Sequence, residues 1–456
     1  MWQIIPSLDT LLQGLAVAFT EPSFQTQREI LLGWLMCVGE RTEYRVFQTI
    51  QASAVVARTV HHPFDRFYNF FSRSAWTVNA LAHQVAVAVV LALNPDGKLY
   101  LVVDDTLLHK RGKKVYGLGW FRDAVASTAK RVATASGNNW VVMGLAIPIP
   151  MRPDHIICLP LLARLHLPGE GASTCVELAA EMLAEALKWF PDRQVVLIGD
   201  GAYAAHGLLG KLDPRVCYVG RMRADAEIYD PQPPPSIPGK RGPKPKKGPR
   251  LPNPRAAAKA ADSNGSGPGP WVWREVEVLA YGVTRTLKVL AYQAVWPEVL
   301  GLRPILIVVV RDPAGKFRDA YLFTTDLAAD LSWVVSSFAR RWSIEVAFKA
   351  SKQVLEIESP QHWCQASIEK LAPWVWLMQS VIGLWYLRVG HTLPEAEAAR
   401  QNLGPWDTEW SLVHWVRVFR TATMTATINP DSVEKENLPE LIDRVKNYLI
   451  YVASAA

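Results

Sequence analysis

Gln194-Val195-Val196-Leu197-Ile198-Gly199-Asp200-Gly201 is the stretch on which the fold turns. Val195 to Ile198 are apolar without a break, so the run reads as a strand buried on both faces. A strand with one wet face would alternate polar and apolar residues instead. Just before it, Ser173 to Phe190 has helical spacing. Working outward, Leu99 to Val103 is a similar run that ends in Asp104-Asp105-Thr106, and Trp140 to Ile147 is another. Val216 to Val219, Ile305 to Val310 and Ala320 to Phe323 follow. Apolar strands alternating with a helix predict an α/β fold whose sheet is covered on both faces. Residues 1 to about 85 read as helical, with apolar positions three and four apart through Leu11, Leu12, Leu15 and Phe19, then Ile30, Leu31, Leu35 and Met36. Within this part, Arg58 to Trp76 mixes His61, His62, Arg66 and Arg73 with Phe64, Phe67, Tyr68, Phe70 and Phe71. That mixture suits a helix packing its aromatics inward and equally a helix that contacts DNA. From about residue 365 the chain is again helical, and rich in Trp.

The chain has 456 residues, half of them apolar, which excludes global disorder and accommodates two to four domains. Lys and Arg number 49 against 42 Asp and Glu, a net charge of +7 that favours a polyanionic partner. Cys37, Cys158, Cys175, Cys217 and Cys364 lie far apart with no C-x-x-C pair, which argues against a disulfide framework or a cysteine-rich zinc site and suits a reducing cytosol. No basic segment opens the chain as in a signal peptide. Leu371 to Leu387, at 17 residues, is short for a membrane span and reads as a buried helix. Residues 231–254 hold ten of the 32 prolines, and residues 240–259 hold eight basic residues and no acid. This segment predicts a flexible, extended loop whose Lys240, Arg241, Lys244, Lys246 and Lys247 grip phosphates without reading sequence, with a minor-groove hook at Lys240-Arg241-Gly242-Pro243-Lys244 as the alternative. Its +8 exceeds the net charge, leaving the remainder close to neutral. Alternation from Trp271 to Val295 predicts a small antiparallel sheet.

Three carboxylates stand out by position. Asp104 and Asp200 each close an apolar run, and in open α/β sheets sites form at the carboxyl ends of strands. Glu345 falls inside Asp330 to Ile357, which has no Gly or Pro and predicts one long helix capped by Asp330. Phe338, Arg341, Glu345 and Lys352, at offsets of zero, three, seven and fourteen, share one stripe roughly 60° wide on such a helix. A solvated salt-bridge stripe has the same spacing. Asp105 is the alternative to Asp104, because neighbouring side chains on a strand point to opposite faces.

These motifs resemble the DDE transposases of bacterial insertion sequences, the group with a β-rich insertion and the signature Y-x2-R-x3-E-x6-K. Phe338-Ala339-Arg340-Arg341-Trp342-Ser343-Ile344-Glu345, six residues, then Lys352 match its spacing, with Phe338 in place of the usual Tyr. Asp104-Asp105-Thr106 followed by His109-Lys110-Arg111-Gly112 resembles the family's first acidic motif and favours Asp104, and Asp200-Gly201-Ala202-Tyr203 resembles the second. The resemblance covers about residues 60–390. It implies an RNase H-like core (86–225 and 301–390) split by an insertion (226–300), a helical DNA-binding domain (1–85) and a helical C-terminal region (391–456). Asp104, Asp200 and Glu345 would be the catalytic carboxylates and would hold two Mg²⁺, with Mn²⁺ substituting, while Arg341 and Lys352 clamp phosphates. The implied function is cut-and-paste transposition: binding terminal inverted repeats, cleaving, and joining 3′-hydroxyls to target DNA. Implied with it are a homodimer on double-stranded DNA, no membrane, and a bacterial cytoplasmic, nucleoid-associated setting. A flipped base held by Trp271, Trp273 or Trp296 is a further implication, set against ordinary packing. The rival readings are an RNase H-like nuclease without strand transfer and a domesticated DNA-binding protein.

Overall fold

The computed structural model describes residues 4–54, 64–123, 125–128, 131–234, 246–263, 271–404 and 408–428. Helices Pro6–Gln13 (α1), Glu21–Met36 (α2), Glu43–Ala54 (α3), Asp65–Ser72 (α4) and Val78–Leu93 (α5) come first. They lead into strands Leu99–His109 (β1), Gly119–Arg122 (β2), Thr134–Ile149 (β3) and Arg152–His166 (β4). Helix Cys175–Trp189 (α6), strand Val195–Gly199 (β5), helix His206–Leu209 (α7) and strand Val216–Arg221 (β6) continue the alternation. Thr174 caps α6 with a full capping box against Glu177, which is why that helix starts there.

Helix Pro254–Ser263 (α8), strands Arg274–Ala280 (β7) and Val283–Val295 (β8), helix Pro297–Leu300 (α9) and strands Pro304–Arg311 (β9) and Ala320–Thr324 (β10) follow. The last helices are Leu331–Ala339 (α10), Trp342–Gln353 (α11), Gln365–Arg388 (α12), Pro394–Arg400 (α13) and Leu412–Ile428 (α14).

All ten strands form one sheet in the order β2-β3-β1-β5-β6-β10-β9-β8-β7, with β4 also paired to β3. Strands β1, β5 and β6 run parallel, while β3 runs antiparallel to β1 and β10 antiparallel to β6. The expected small sheet from 271 to 295 is therefore not separate. β7 and β8 form a hairpin that joins the main sheet through β9. Its turn, Tyr281-Gly282, has φ of 55° and 74°. Two positive φ values make a tight hairpin turn that matches the twist of the strands.

Three further expectations are corrected. β1 does not end at Asp104 but runs on to His109, because β3 stays paired to it after β5 has stopped. The single helix expected from 330 to 357 is two, broken at Arg340-Arg341. There the bonds tighten to three-residue steps and the Ser343 hydroxyl donates to the Arg340 carbonyl at 2.7 Å, competing with the regular helix bond. The expected extended stretch through 259 contains α8, whose Ala257, Ala258 and Ala261 are buried. Alanine carries the highest helix propensity, and it outweighs the surrounding prolines. Lys240, Arg241 and Lys244, like His61 and His62, lie outside the described residues.

Asp330 does cap α10, accepting from the Trp333 amide at 3.0 Å. α12, the expected buried helix, runs through the core with Leu371 to Leu387 buried throughout. No described helix is long and apolar enough to cross a membrane. α12 packs against β4 and α11 and against α1, α4 and α5. Its polar groups serve as ties: Trp376 Nε1 donates to Ser351 Oγ at 3.2 Å and Gln379 Nε2 to the Ala347 carbonyl at 3.3 Å, both on α11. Ser380 Oγ donates to the Pro160 carbonyl on β4 at 2.6 Å. α11 is thus anchored from below before any of its outer residues act.

Candidate active site

β1 and β5 are in parallel register up to Val103 opposite Gly199. Asp104 and Asp200 are the next residues on each, so the two acids stand level where the parallel pairing stops. Gly199 is needed at this point because a Cβ there would lie 2.9 Å from both Tyr203 Cβ and the Tyr218 hydroxyl. Asp200 turns its Oδ1 onto the Ala202 amide at 2.8 Å, a turn bond that leaves its other oxygen uncommitted among the described residues.

Glu345 reaches this end of the sheet from α11. Arg341, at the N-cap of α11, donates to Asp104 Oδ2 at 2.6 Å and to Glu345 Oε1 at 2.5 Å. One guanidinium thus bridges two carboxylates that lie 241 residues apart in sequence. The three side chains are largely buried, at 18% exposure for Arg341, 15% for Asp104 and 33% for Glu345. Burial pushes the Asp104 carboxyl up to about 7, against the pull of Arg341, and Asp200 and Asp105 push it further up. Three carboxyls, Asp104, Glu345 and Asp200, act on one guanidinium, so the site carries an excess of negative charge when all are ionised.

Asp105 looks elsewhere. Asn139 Nδ2 donates to its Oδ2 at 3.3 Å, and the Tyr203 hydroxyl donates to its Oδ1 at 3.5 Å. Tyr203 is buried, and its hydroxyl is held protonated first by burial and then by Asp105 and Asp104. Asn139 and Tyr203 were not singled out in the sequence. The only cue was the aromatic three residues after Asp200.

Lys352 lies farther along β1, donating to the Leu107 carbonyl at 2.6 Å with Glu358 at 4.0 Å. Phe338, where the signature has Tyr, sits 5.9 Å from the Arg341 guanidinium. Lys247 packs its ammonium over the Tyr229 ring, and Lys246 is exposed. Trp296 is buried against Phe323. Trp273 stacks under Arg311 and donates to Asp262, and Trp271 packs on Tyr292.

The donor set of Asp104, Asp200 and Glu345 is all oxygen, the chemistry that suits a hard divalent cation. Among the described residues, no three His, Cys, Asp or Glu side chains converge into a ready-made metal cage. The Arg341 guanidinium stands between two of the candidates instead.

A strand, a strand end and a helix thus bring Asp104, Asp200 and Glu345 to the end of the parallel pairing in an α/β sheet. The chain belongs to the DDE superfamily endonucleases, whose family model matches residues 17–278, a stretch that holds Asp104 and Asp200 and ends before Glu345. Among solved structures it is similar to a piggyBac transposase, seen by cryo-EM in a synaptic complex with hairpin DNA. That similarity has a TM-score of 0.42 at 11% identity, over 98% of this chain and 82% of that one. No curated protein matches the chain.

Proposed function

We propose that this endonuclease is the transposase of a bacterial insertion sequence, acting by cut-and-paste with Asp104, Asp200 and Glu345 as its catalytic carboxylates. The observation that carries the reading is the Arg341 bridge, which sets the Glu of the helical signature beside the acid of β1. The strand order β4-β3-β1-β5-β6, with β1, β5 and β6 parallel, supports an RNase H-like core under that site.

Two Mg²⁺ ions, when bound, would supply an activated oxygen nucleophile and relieve charge on the leaving oxygen. The residues then divide the remaining work. Asp104 and Asp200 offer oxygens from adjacent strands, and Glu345 offers its own from a helix held rigidly by α12. Arg341 has to leave Asp104 and Glu345 to let a cation in, and its planar fork then suits a DNA phosphate. Lys352 serves phosphates farther along β1. The basic loop around Lys240, Arg241, Lys244, Lys246 and Lys247 adds sequence-independent grip. A homodimer on paired transposon ends, in the bacterial nucleoid, completes the reading.

Glu345→Gln tests it. The change removes one charged oxygen ligand while keeping shape, so end cleavage should fall at least a thousandfold with binding of a labelled end duplex unchanged within about twofold. Loss of binding and of cooperative melting together would make Glu345 a structural residue.

A further inference from the structure

The positive charge of the chain has a second concentration. Residues 110–131 hold seven basic residues and one acid, Asp123. Their +6 and the +8 of residues 240–259, set against the net +7, leave −7 for everything else. The bulk of the protein is therefore acidic, and its attraction for a polyanion resides in two short segments.

This segment leaves β1 at His109, and its edge strand β2 starts level with His109 across β3 and runs on in the same direction as β1, away from Asp104. Arg111, Lys113, Lys114, Arg122 and Arg131 are all exposed, and none has an ion-pair partner among the described residues. Trp120, on β2, is 76% exposed beside them. Among the described basic residues of the segment, only Lys110 is committed inward, donating to the Glu358 and Pro360 carbonyls at 2.8 Å.

The mount is firm. His109 sets Nε2 3.0 Å from Asp123 Oδ2 and Nδ1 3.0 Å from Glu358 Oε1. Asp123 also accepts from the Val125 and Ala126 amides at 2.9 and 3.0 Å. The Tyr116 amide donates to the Trp363 carbonyl at 2.9 Å, and Asn138 Nδ2 donates to the Tyr116 carbonyl at the same distance. Five unpaired cations and a bare indole are thus carried on a braced support, an arrangement suited to a repeating anion with flat apolar groups between its charges. The segment contains no Asn or Gln, the side chains that read adenine edges. His109 lies five residues beyond Asp104 on β1, about 16 Å at the rise of a strand. That is roughly five phosphate steps along one DNA strand.

We propose that Arg111, Lys113, Lys114, Trp120, Arg122 and Arg131, between β1 and β3, form a DNA-contact surface that grips the phosphate backbone from about five nucleotides outward from the phosphate at the carboxylates, without reading sequence. Trp120 lies against an exposed sugar or base face. The inference rests on the reading of the protein as a DNA-cutting enzyme.

The test uses the full chain with Arg111, Lys113, Lys114, Arg122 and Arg131 all changed to Gln. Affinity for a labelled duplex is measured from low to moderate salt, with an end sequence and with a scrambled one. Each lost phosphate contact flattens the slope of log affinity against log salt by about 0.9. The fivefold variant should lose about 3 to 4.5 from that slope, equally on both duplexes, and Trp120→Ala should weaken binding with the slope intact. Lys113→Gln and Lys114→Gln, each alone, should lower the slope by about one and keep the proposal testable if the fivefold variant fails to fold. An unchanged slope in a protein that otherwise binds DNA overturns this contact surface and leaves the enzyme reading standing. Absence of DNA binding by the unaltered protein overturns both.

Discussion

With its guanidinium on Asp104 and Glu345, Arg341 plays the part of a cation in the free protein. Charge-assisted bonds of this kind are worth about 1.5–3 kcal/mol each, so the bridge competes with any ion that needs the same oxygens. Arg341→Ala should therefore raise the affinity of the DNA-free protein for Mn²⁺ about tenfold, read by calorimetry or by loss of the free-ion signal in electron paramagnetic resonance. Equal or weaker binding would show that the guanidinium is not the competitor. Lys110 offers a separate test at this scale. Burial pushes its ammonium down to about 8, with Glu358 pulling it back up. Because the folded value lies below the ordinary 10.5 of the free side chain, the unfolded chain holds the extra proton between about pH 8 and 10.5. Stability from this group should thus rise with pH across that window. The unaltered protein should gain on Lys110→Met from pH 8 to 10.5, in parallel denaturant melts, and show no such gain from pH 6 to 7.5. At the same scale, the spacing of Arg341, Glu345 and Lys352 was legible in the sequence. What Arg341 touches was not, since that depends on a strand 237 residues away. The motif favoured Asp104 over Asp105, but the neighbours each one meets were not legible: Arg341 for Asp104, and Asn139 with Tyr203 for Asp105.

Among the elements, those with continuous apolar runs were legible: β1, β3, β5, β6, β9 and β10 all contain the runs that predicted them, with β1 and β3 extending well beyond theirs. β4 was not, because Pro153 and Pro160 argue against a strand. The structure accommodates them by pairing β4 only with β3 and shifting register between Met143 and Gly144, opposite Pro160. The break between α10 and α11 also escaped the sequence, since no Gly or Pro marks it and serine back-bonding takes their place. This break turns α11 toward β1, and α12 holds it there. Trp376 is 1% exposed and meets Trp140 of β3, Phe348 of α11 and Ser351. Trp376→Ala should cost about 3–5 kcal/mol of unfolding free energy, measured by denaturant titration, and should lower cleavage by more than the unfolded fraction accounts for. Full activity per folded molecule would show that α12 does not position Glu345.

Across the described residues, α1 and α14 both pack on α12, so the helices at either end share one packed core with the sheet. The overall α/β class follows from local patterns that any strand or helix carries in itself. The continuity of the sheet through β7 and β8 does not, because pairing between distant strands leaves no local mark. In the proposed function Asp104 belongs to a metal-dependent DNA-cutting centre directed to element ends. Purified protein and its Asp104→Ala variant, each with Mg²⁺, are mixed with a labelled duplex carrying the sequence that flanks the protein's own gene. A cut at the element boundary that requires both the metal and Asp104 is expected. Cutting that ignores the boundary, or that survives in Asp104→Ala, would contradict it.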